Sequence, residues 1–367
     1  MRGRAADVTV IDPLDVTNDP AMSSLARALD PVEVRRRFGG RLGRLTGQSG
    51  LFHLQTIRVT RYKPGRRCVI EYDVEVERPD AALEMVTLIG KVRRLRSGKS
   101  GYRLLSALWD AGFGADSADG ITVAEPIGVV PEFRMWLQRK VRGQVATDLL
   151  AAPGGEDLVR RIAEAAHKLH RAGVPAKRRH TMADEVRILH ERLPSVACSE
   201  PRWAVRIERL LDACDRLGAG TPKPDPCGIH RDFYADQVIV AGPRLCLIDF
   251  DLYCEGDPAL DIGNFLGHIR EQSLRSLGDP EALADLEVAM EERFVELSGE
   301  QVRQSIQVYT TLTLARHVQI STRFPDRQQI TEALLELCEQ RLARPAVLPN
   351  TRLRARPAQL VLQEGSV

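Results

Sequence analysis

Two short apolar runs on either side of a polar loop constrain this chain more than any other feature. Gly228-Ile229-His230-Arg231-Asp232-Phe233-Tyr234-Ala235-Asp236-Gln237 carries a His, an Asp and, five residues after that Asp, a side-chain amide. Val238-Ile239-Val240 follows as a short strand. Leu247-Ile248 reads as a second strand that ends in Asp249-Phe250-Asp251. Because Leu247 and Ile248 are apolar, that strand is expected to be buried, with its end delivering the Asp249 carboxylate to a cleft.

The flanks supply the rest of a fold. Residues 1–22 lack periodicity and read as a loosely held arm, with the arm as a whole taken over 1–30. Asp30-Pro31-Val32-Glu33 looks like a helix start, with Asp30 as N-cap and Pro31 at the first helical position. Residues 54–62 and 68–76 alternate with period two around the break Lys63-Pro64-Gly65-Arg66-Arg67, which is a hairpin pattern. Met85 to Val92 reads as a third strand, and Leu104, Leu105, Leu108 and Trp109 form a helical stripe. Strands over about 121–130 and 133–141 complete a small antiparallel sheet with one helix. After Gly143 the pattern turns helical over 158–170, 183–193, 202–217, 258–275, 280–297, 300–322 and 327–343. From Arg344 to Val367, Pro, Arg and Gln dominate, and a flexible tail is expected.

Composition excludes several classes. The chain is 43% hydrophobic and 28% charged, typical of a globular protein, and its net charge is only +2, so no overall field argues for nucleic acid or membrane. The seven cysteines form no close pair, which suits reduced thiols in a cytoplasm rather than a disulfide framework or zinc site. No apolar run reaches membrane-spanning length. Residues 31–100 are strongly basic, which suits a lobe facing polyphosphate. Residues 270–300 are acidic and could draw a cationic ligand, or could be solvated helix faces.

Phosphoryl transfer needs a carboxylate to orient and deprotonate a hydroxyl, oxygen ligands for Mg²⁺ and a cation for the phosphates. The loop and strand end could supply the first two. Together, His-x-Asp-x-x-x-x-Gln, the hairpin, Asp-Phe-Asp and Gly256-Asp257-Pro258-Ala259-Leu260-Asp261-Ile262-Gly263 resemble the aminoglycoside phosphotransferase family, a branch of the protein-kinase-like fold. The match is strongest over residues 228–269, and the element order extends it to roughly 45–343. The resemblance implies an α+β, bilobal fold: a small antiparallel β lobe with one helix over 31–138, a hinge over 139–144, and a helical lobe over 145–343. It implies an ATP- and Mg²⁺-dependent small-molecule kinase acting on a hydroxyl of a sugar, amino alcohol or aminoglycoside-like acceptor. The alternative is a pseudokinase-type nucleotide-binding module without transfer.

Roles follow from the resemblance residue by residue. Asp232 would be the catalytic base, where an Asp in a polar loop otherwise caps its own turn. His230 would organise the loop, and Asp261 would brace it or cap a helix. Asp249 would hold metal, Gln237 would stand where most of the family carries an Asn ligand, and Asp251 could be a further ligand. Lys91 would bind the phosphates, Gly65 and Arg66 would cover them, and Gln138, Arg139 and Val141 would line the hinge that holds adenine. One departure stands out: the helix over Gly101–Asp110 has Arg103 about where the family carries a Glu to pair with the Lys. Glu71 on the second strand is a candidate substitute.

Overall fold

The computed structural model describes residues 8–46, 51–78, 81–94 and 98–343. The tail over 344–367 and the first residues of the arm lie outside them. Among the described residues no helix is long and apolar enough to cross a membrane, and all seven cysteines are free thiols.

The smaller lobe begins with β1 (Thr9–Ile11), α1 (Ser24–Leu29), α2 (Pro31–Phe38) and α3 (Gly43–Thr46). The long strands β2 (Phe52–Lys63), β3 (Arg67–Arg78) and β4 (Ala81–Arg93) follow. Period-two alternation buries Cys68, Ile70, Tyr72, Val74 and Val76 of β3 against Leu25, Phe38, Ile57 and Leu88. The phenol of Tyr72 reaches through this core to donate to the Ala28 carbonyl at 2.9 Å. Asp30 caps α2 through Val32 N–H at 2.8 Å, with Pro31 in the first turn.

The loosely held arm is corrected for residues 8–22. β1 adds parallel to β2, pairing Thr9 with Thr56 and Ile11 with Arg58. Val16 and Met22 are buried in the same core as Leu25 and Leu29. A strand added to an open edge is held by backbone hydrogen bonds, so it needs no side-chain period and none shows in the sequence.

After α4 (Lys99–Leu108) the single strand expected over 121–130 is two. β5 (Ile121–Val123) joins a different sheet from β6 (Pro126–Val130), and β7 (Met135–Arg139) pairs with β4 and β6. Pro126 has no N–H to continue a ladder, and the chain changes partner there. The six-stranded sheet runs β1-β2-β3-β4-β7-β6. β8 (Gln144–Val145) then begins the larger lobe, which holds α5 (Gly155–Arg171), α6 (Met182–Ser199) and α7 (Ala204–Gly220). β9 (Cys227–Ile229), β10 (Val238–Ala241), β11 (Arg244–Leu247) and β12 (Cys254–Gly256) carry the loops between them. α8 (Pro258–Gln272), α9 (Ala284–Ser298), α10 (Arg303–Ser321) and α11 (Thr331–Ala343) close the lobe. The four-stranded sheet β5-β11-β10-β8 lies against α5, and β9 pairs with β12. The architecture is bilobal and α+β, of the kinase-like kind.

α8 and α10 touch through glycine. A Cβ at Gly263 would lie 2.5 Å from the Tyr309 Cβ and 2.8 Å from the Ile306 carbonyl, and one at Gly267 would lie 2.6 Å from Thr313 Cγ2. Backbones this close fix α8 firmly, and α8 carries Asp261.

Candidate active site

The loop after β9 is held from below by one carboxylate. Asp261, fully buried one turn into α8, accepts from the backbone N–H of His230 at 2.8 Å and of Arg231 at 2.7 Å. His170 Nε2 of α5 lies 2.8 Å from the same carboxylate. The N-cap of α8 is Asp257, through Ala259 N–H at 2.9 Å, so Asp261 is not a cap. Arg231 adopts a left-handed φ of 71°, and the next residue, Asp232, is partly exposed.

Ile248 rivets the two loops together. His230 Nε2 donates to its carbonyl at 2.8 Å, and its N–H donates to the Gln237 carbonyl at 2.9 Å. His230 is buried between Phe233 and Phe250, with ring centroids 5.6 and 4.9 Å away. This register brings Asp249 beside the loop that carries Asp232 and the buried Gln237. Asp249 itself has φ 60° and ψ 52°, a left-handed conformation that costs a non-glycine residue on the order of 1–3 kcal/mol. Its neighbours on both sides over-determine it.

Lys91 of β4 spans the cleft, with Nζ 3.2 Å from Asp249 Oδ1 and 5.3 Å from the Trp136 ring centroid. Burial lowers the Lys91 pKa, and Asp249 opposes that shift. Burial would raise the Asp249 carboxyl, but the Lys91 charge and hydrogen bond outweigh it and hold the pKa below its ordinary value. Glu71 does not serve Lys91. It shares the face of the sheet with Lys91, but its register partner is Ile89, two residues along β4, and there it pairs with Lys140 at 2.8 Å and lies 3.6 Å from Arg58. Arg103 of α4 is exposed.

Three further expectations meet a different arrangement. Asp251 is held by Arg93 and lies 3.6 Å from Arg67, so two guanidinium groups already engage the carboxylate expected as a metal ligand. Gly65, at φ 61°, donates its N–H to Asp19 Oδ2 at 2.7 Å, where Tyr62 also donates at 2.7 Å. Its amide is therefore occupied by the N-terminal segment, while Arg66 is exposed. Arg139 pairs with Glu84 and Glu125, both at 2.8 Å, which takes its side chain away from a nucleotide. Gln138 is buried in the cleft wall with Lys91, Trp136 and Leu247 to Asp251, and Val141 packs on the larger core.

A second network carries residues that sequence reading missed. Asn264 donates to the Phe233 carbonyl at 2.9 Å, next to Asp232, and its own oxygen accepts from Arg316 of α10. Arg316 reaches Glu185 of α6 at 3.3 Å, and His180 Nε2 lies 2.6 Å from the same carboxylate. Burial pushes the Glu185 pKa up, yet His180 and Arg316 bring it down to about 2. Asn264 lies three residues after Asp261, one helical turn along the same face, and that spacing was a usable signal. Nothing in the sequence couples Glu185 to Arg316.

Among the described residues no cluster of three or more His, Cys, Asp or Glu side chains could hold a metal by itself. Mg²⁺ at such a site characteristically takes one or two carboxylates and fills its octahedron with phosphate oxygens and water. Asp249 with the Gln237 amide fits that donor set.

A family model described as the phosphotransferase enzyme family matches residues 102–297. No curated protein matched the chain. A choline/ethanolamine kinase family protein from Mesorhizobium loti has a similar structure, with TM-score 0.51 at 16% identity, over 73% of this chain and 88% of that one. A thermostable variant of aminoglycoside phosphotransferase APH(4)-Ia, in ternary complex with AMP-PNP and hygromycin B, gives 0.52 at 12% identity over 84% and 97%. A glucosamine kinase in complex with glucosamine, ADP and inorganic phosphate gives 0.51 at 14% identity over 78% and 84%. At these identities the likeness is one of fold.

Proposed function

This chain belongs to the phosphotransferase enzyme family, and from that premise we propose that it moves the γ-phosphoryl of ATP to a hydroxyl of a small molecule. The observation that carries the reading is the Ile248 rivet, which sets Asp249 opposite Lys91 and beside the loop that carries Asp232. The nucleotides and hydroxylated ligands named for the similar structures, AMP-PNP with hygromycin B and ADP with glucosamine, support the same class.

In this reading Asp232 accepts the proton of the acceptor hydroxyl and aims its oxygen at the γ-phosphorus. The new O–P bond forms as the bond to the β,γ-bridging oxygen breaks, and ADP leaves with that electron pair. Lys91 turns its charge from Asp249 toward the phosphates, while Gln138 and Val141 border the base. Mg²⁺, held by Asp249 and Gln237, would neutralise charge on the phosphate oxygens. Reduced thiols and ATP both suit a cytoplasmic location.

A nucleotide-binding module without transfer is the second reading, favoured by the engagement of Asp251 with Arg67 and Arg93. Thermal shift with ATP or ADP, with and without Mg²⁺, followed by mass spectrometry of acceptor mixtures incubated with γ-labelled ATP, decides between them. We expect a Mg²⁺-dependent shift and a label-bearing product that Asp232→Asn abolishes. Binding with neither hydrolysis nor transfer supports the second reading, and no shift with any nucleotide overturns both.

A further inference from the structure

Several cations on the two lobes near the strand end that carries Asp249 have no acid partner among the described residues. Lys63 faces Arg67 across the β2–β3 hairpin, and Arg67 lies 3.6 Å from Asp251, so this hairpin overhangs the strand end that carries Asp249. Arg61, Lys63 and Arg66 are exposed, and among the described residues none of their side chains has an acid partner.

The helical lobe answers with two more. Arg192 lies seven residues after Glu185 on α6, and Arg323 lies two residues past Ser321, the last residue of α10. A spacing of two turns keeps Arg192 on the face that holds the Glu185–Arg316 pair, which is tied through Asn264 to the Phe233 carbonyl beside Asp232, while Arg323 lies in the turn that closes α10, its N–H on the Ile320 carbonyl at 3.1 Å. Both arginines are exposed, and neither forms an ion pair among the described residues.

Mutual repulsion registers in their protonation. The Lys63 pKa is lowered by Arg67 first, then by burial, Arg61, Arg66 and Arg323. The Arg192 pKa is lowered by burial and then by Arg316 and Arg323, which Glu185 and Glu191 do not offset. Apart from Asp232 itself, the acids named at this site are committed elsewhere: Asp249 to Lys91, Asp251 to Arg93 and Arg67, Glu185 to His180 and Arg316, and Asp236 to Thr147. The acidic stretch over 270–300 is no counterweight, because Glu287 binds Arg270 at 2.7 Å and Glu291 binds Arg303 at 3.0 Å. Residues that hold a cationic acceptor would carry the opposite sign.

We propose that the acceptor is an anion: a hydroxylated small molecule bearing a phosphate or carboxylate group, held by Arg192 and Arg323 from the helical lobe with Lys63 and Arg61 above it. The proposal rests on the phosphotransferase reading for the identity of the cleft. Arg192 and Arg323 sit on the lobe opposite Lys63 and Arg61, which makes them the informative pair.

The test is calorimetric titration of protein saturated with ADP and Mg²⁺, using three probes of one sugar frame: glucose 6-phosphate, glucose and glucosamine. We expect glucose 6-phosphate to bind at least about tenfold more tightly than the other two, since a single paired charge commonly supplies that factor. Arg192→Ala/Arg323→Ala should erase the advantage while keeping the wild-type ADP affinity, which also reports that the variant is folded. Equal or tighter binding of glucosamine, no preference among the three probes, or a preference that survives in the variant would overturn the proposal. So would a tenfold loss of ADP affinity in the variant, because the cluster would then serve the nucleotide. If ADP fails to bind the wild-type protein, it is the phosphotransferase reading that falls, and the two failures are distinguishable.

Discussion

Asp261 shows how much one buried residue can organise. Three donors converge on its carboxylate, from His230 N–H, Arg231 N–H and His170, and the side chain is fully buried. Replacing one oxygen by an NH₂ group in Asp261→Asn sets donor against donor in a place water cannot reach. Leaving a buried donor unsatisfied costs roughly 1–3 kcal/mol, and more than one is affected here. We expect Asp261→Asn to lower stability by about 3 kcal/mol in urea unfolding, with unchanged m-value, and to reduce turnover as the Asp232 loop loosens. A loss under about 1 kcal/mol would mean that the loop holds itself. The segment Gly256 to Phe265 was visible in the sequence as a unit, and so was Asp232, because their signals are local. Glu71 was misread for the opposite reason: which acid a strand lysine meets depends on non-local register and competing cations, and Glu71, opposite Ile89 rather than Lys91, is taken by Lys140 and Arg58.

At the scale of elements, the site depends on how closely α8 approaches α10. Gly263 lies two residues after Asp261 and directly before Asn264, where α10 leaves no room for a Cβ: 2.5 Å to Tyr309 Cβ and 2.8 Å to both the Ile306 carbonyl and the Thr310 nitrogen. These are backbone and stem atoms, which cannot swing aside. Overpacking of this kind costs typically about 1–3 kcal/mol. Gly263→Ala should therefore lower the midpoint of thermal unfolding, and transfer rate should fall further than stability, because displacing α8 moves Asp261 and Asn264 together. A variant with wild-type stability would show that the helices separate freely. The helices themselves were legible from their apolar period, and the strands of the small sheet from their alternation. The parallel pairing of β1 with β2 was not, since it rests on backbone bonding to an open edge. Nor was the division of residues 121–130 between two sheets, because Ile121 to Val130 is mostly apolar with no sustained alternation, and periodicity cannot say which neighbour each part pairs with.

For the whole molecule, function turns on what crosses the cleft between the lobes. Lys91 meets Asp249, and Arg93 and Arg67 meet Asp251, so carboxylates of the helical lobe occupy cations of the β lobe. A bound triphosphate competes for those same cations, and it can win Lys91 only if Asp249 gains another partner. In the proposed reading the two central carboxylates have different tasks: Asp249 serves metal and nucleotide, Asp232 the acceptor. The most direct measurement is calorimetric titration of ATP with Mg²⁺ into Asp249→Ala and Asp232→Ala, each shown to be folded by circular dichroism. Asp249→Ala should weaken Mg²⁺-dependent binding by about tenfold or more. Asp232→Ala should bind ATP as the wild type does yet lose roughly 10²–10⁴-fold in transfer rate, the usual weight of a positioned general base. Equal loss of nucleotide binding in the two variants, with both folded, would contradict this division of labour.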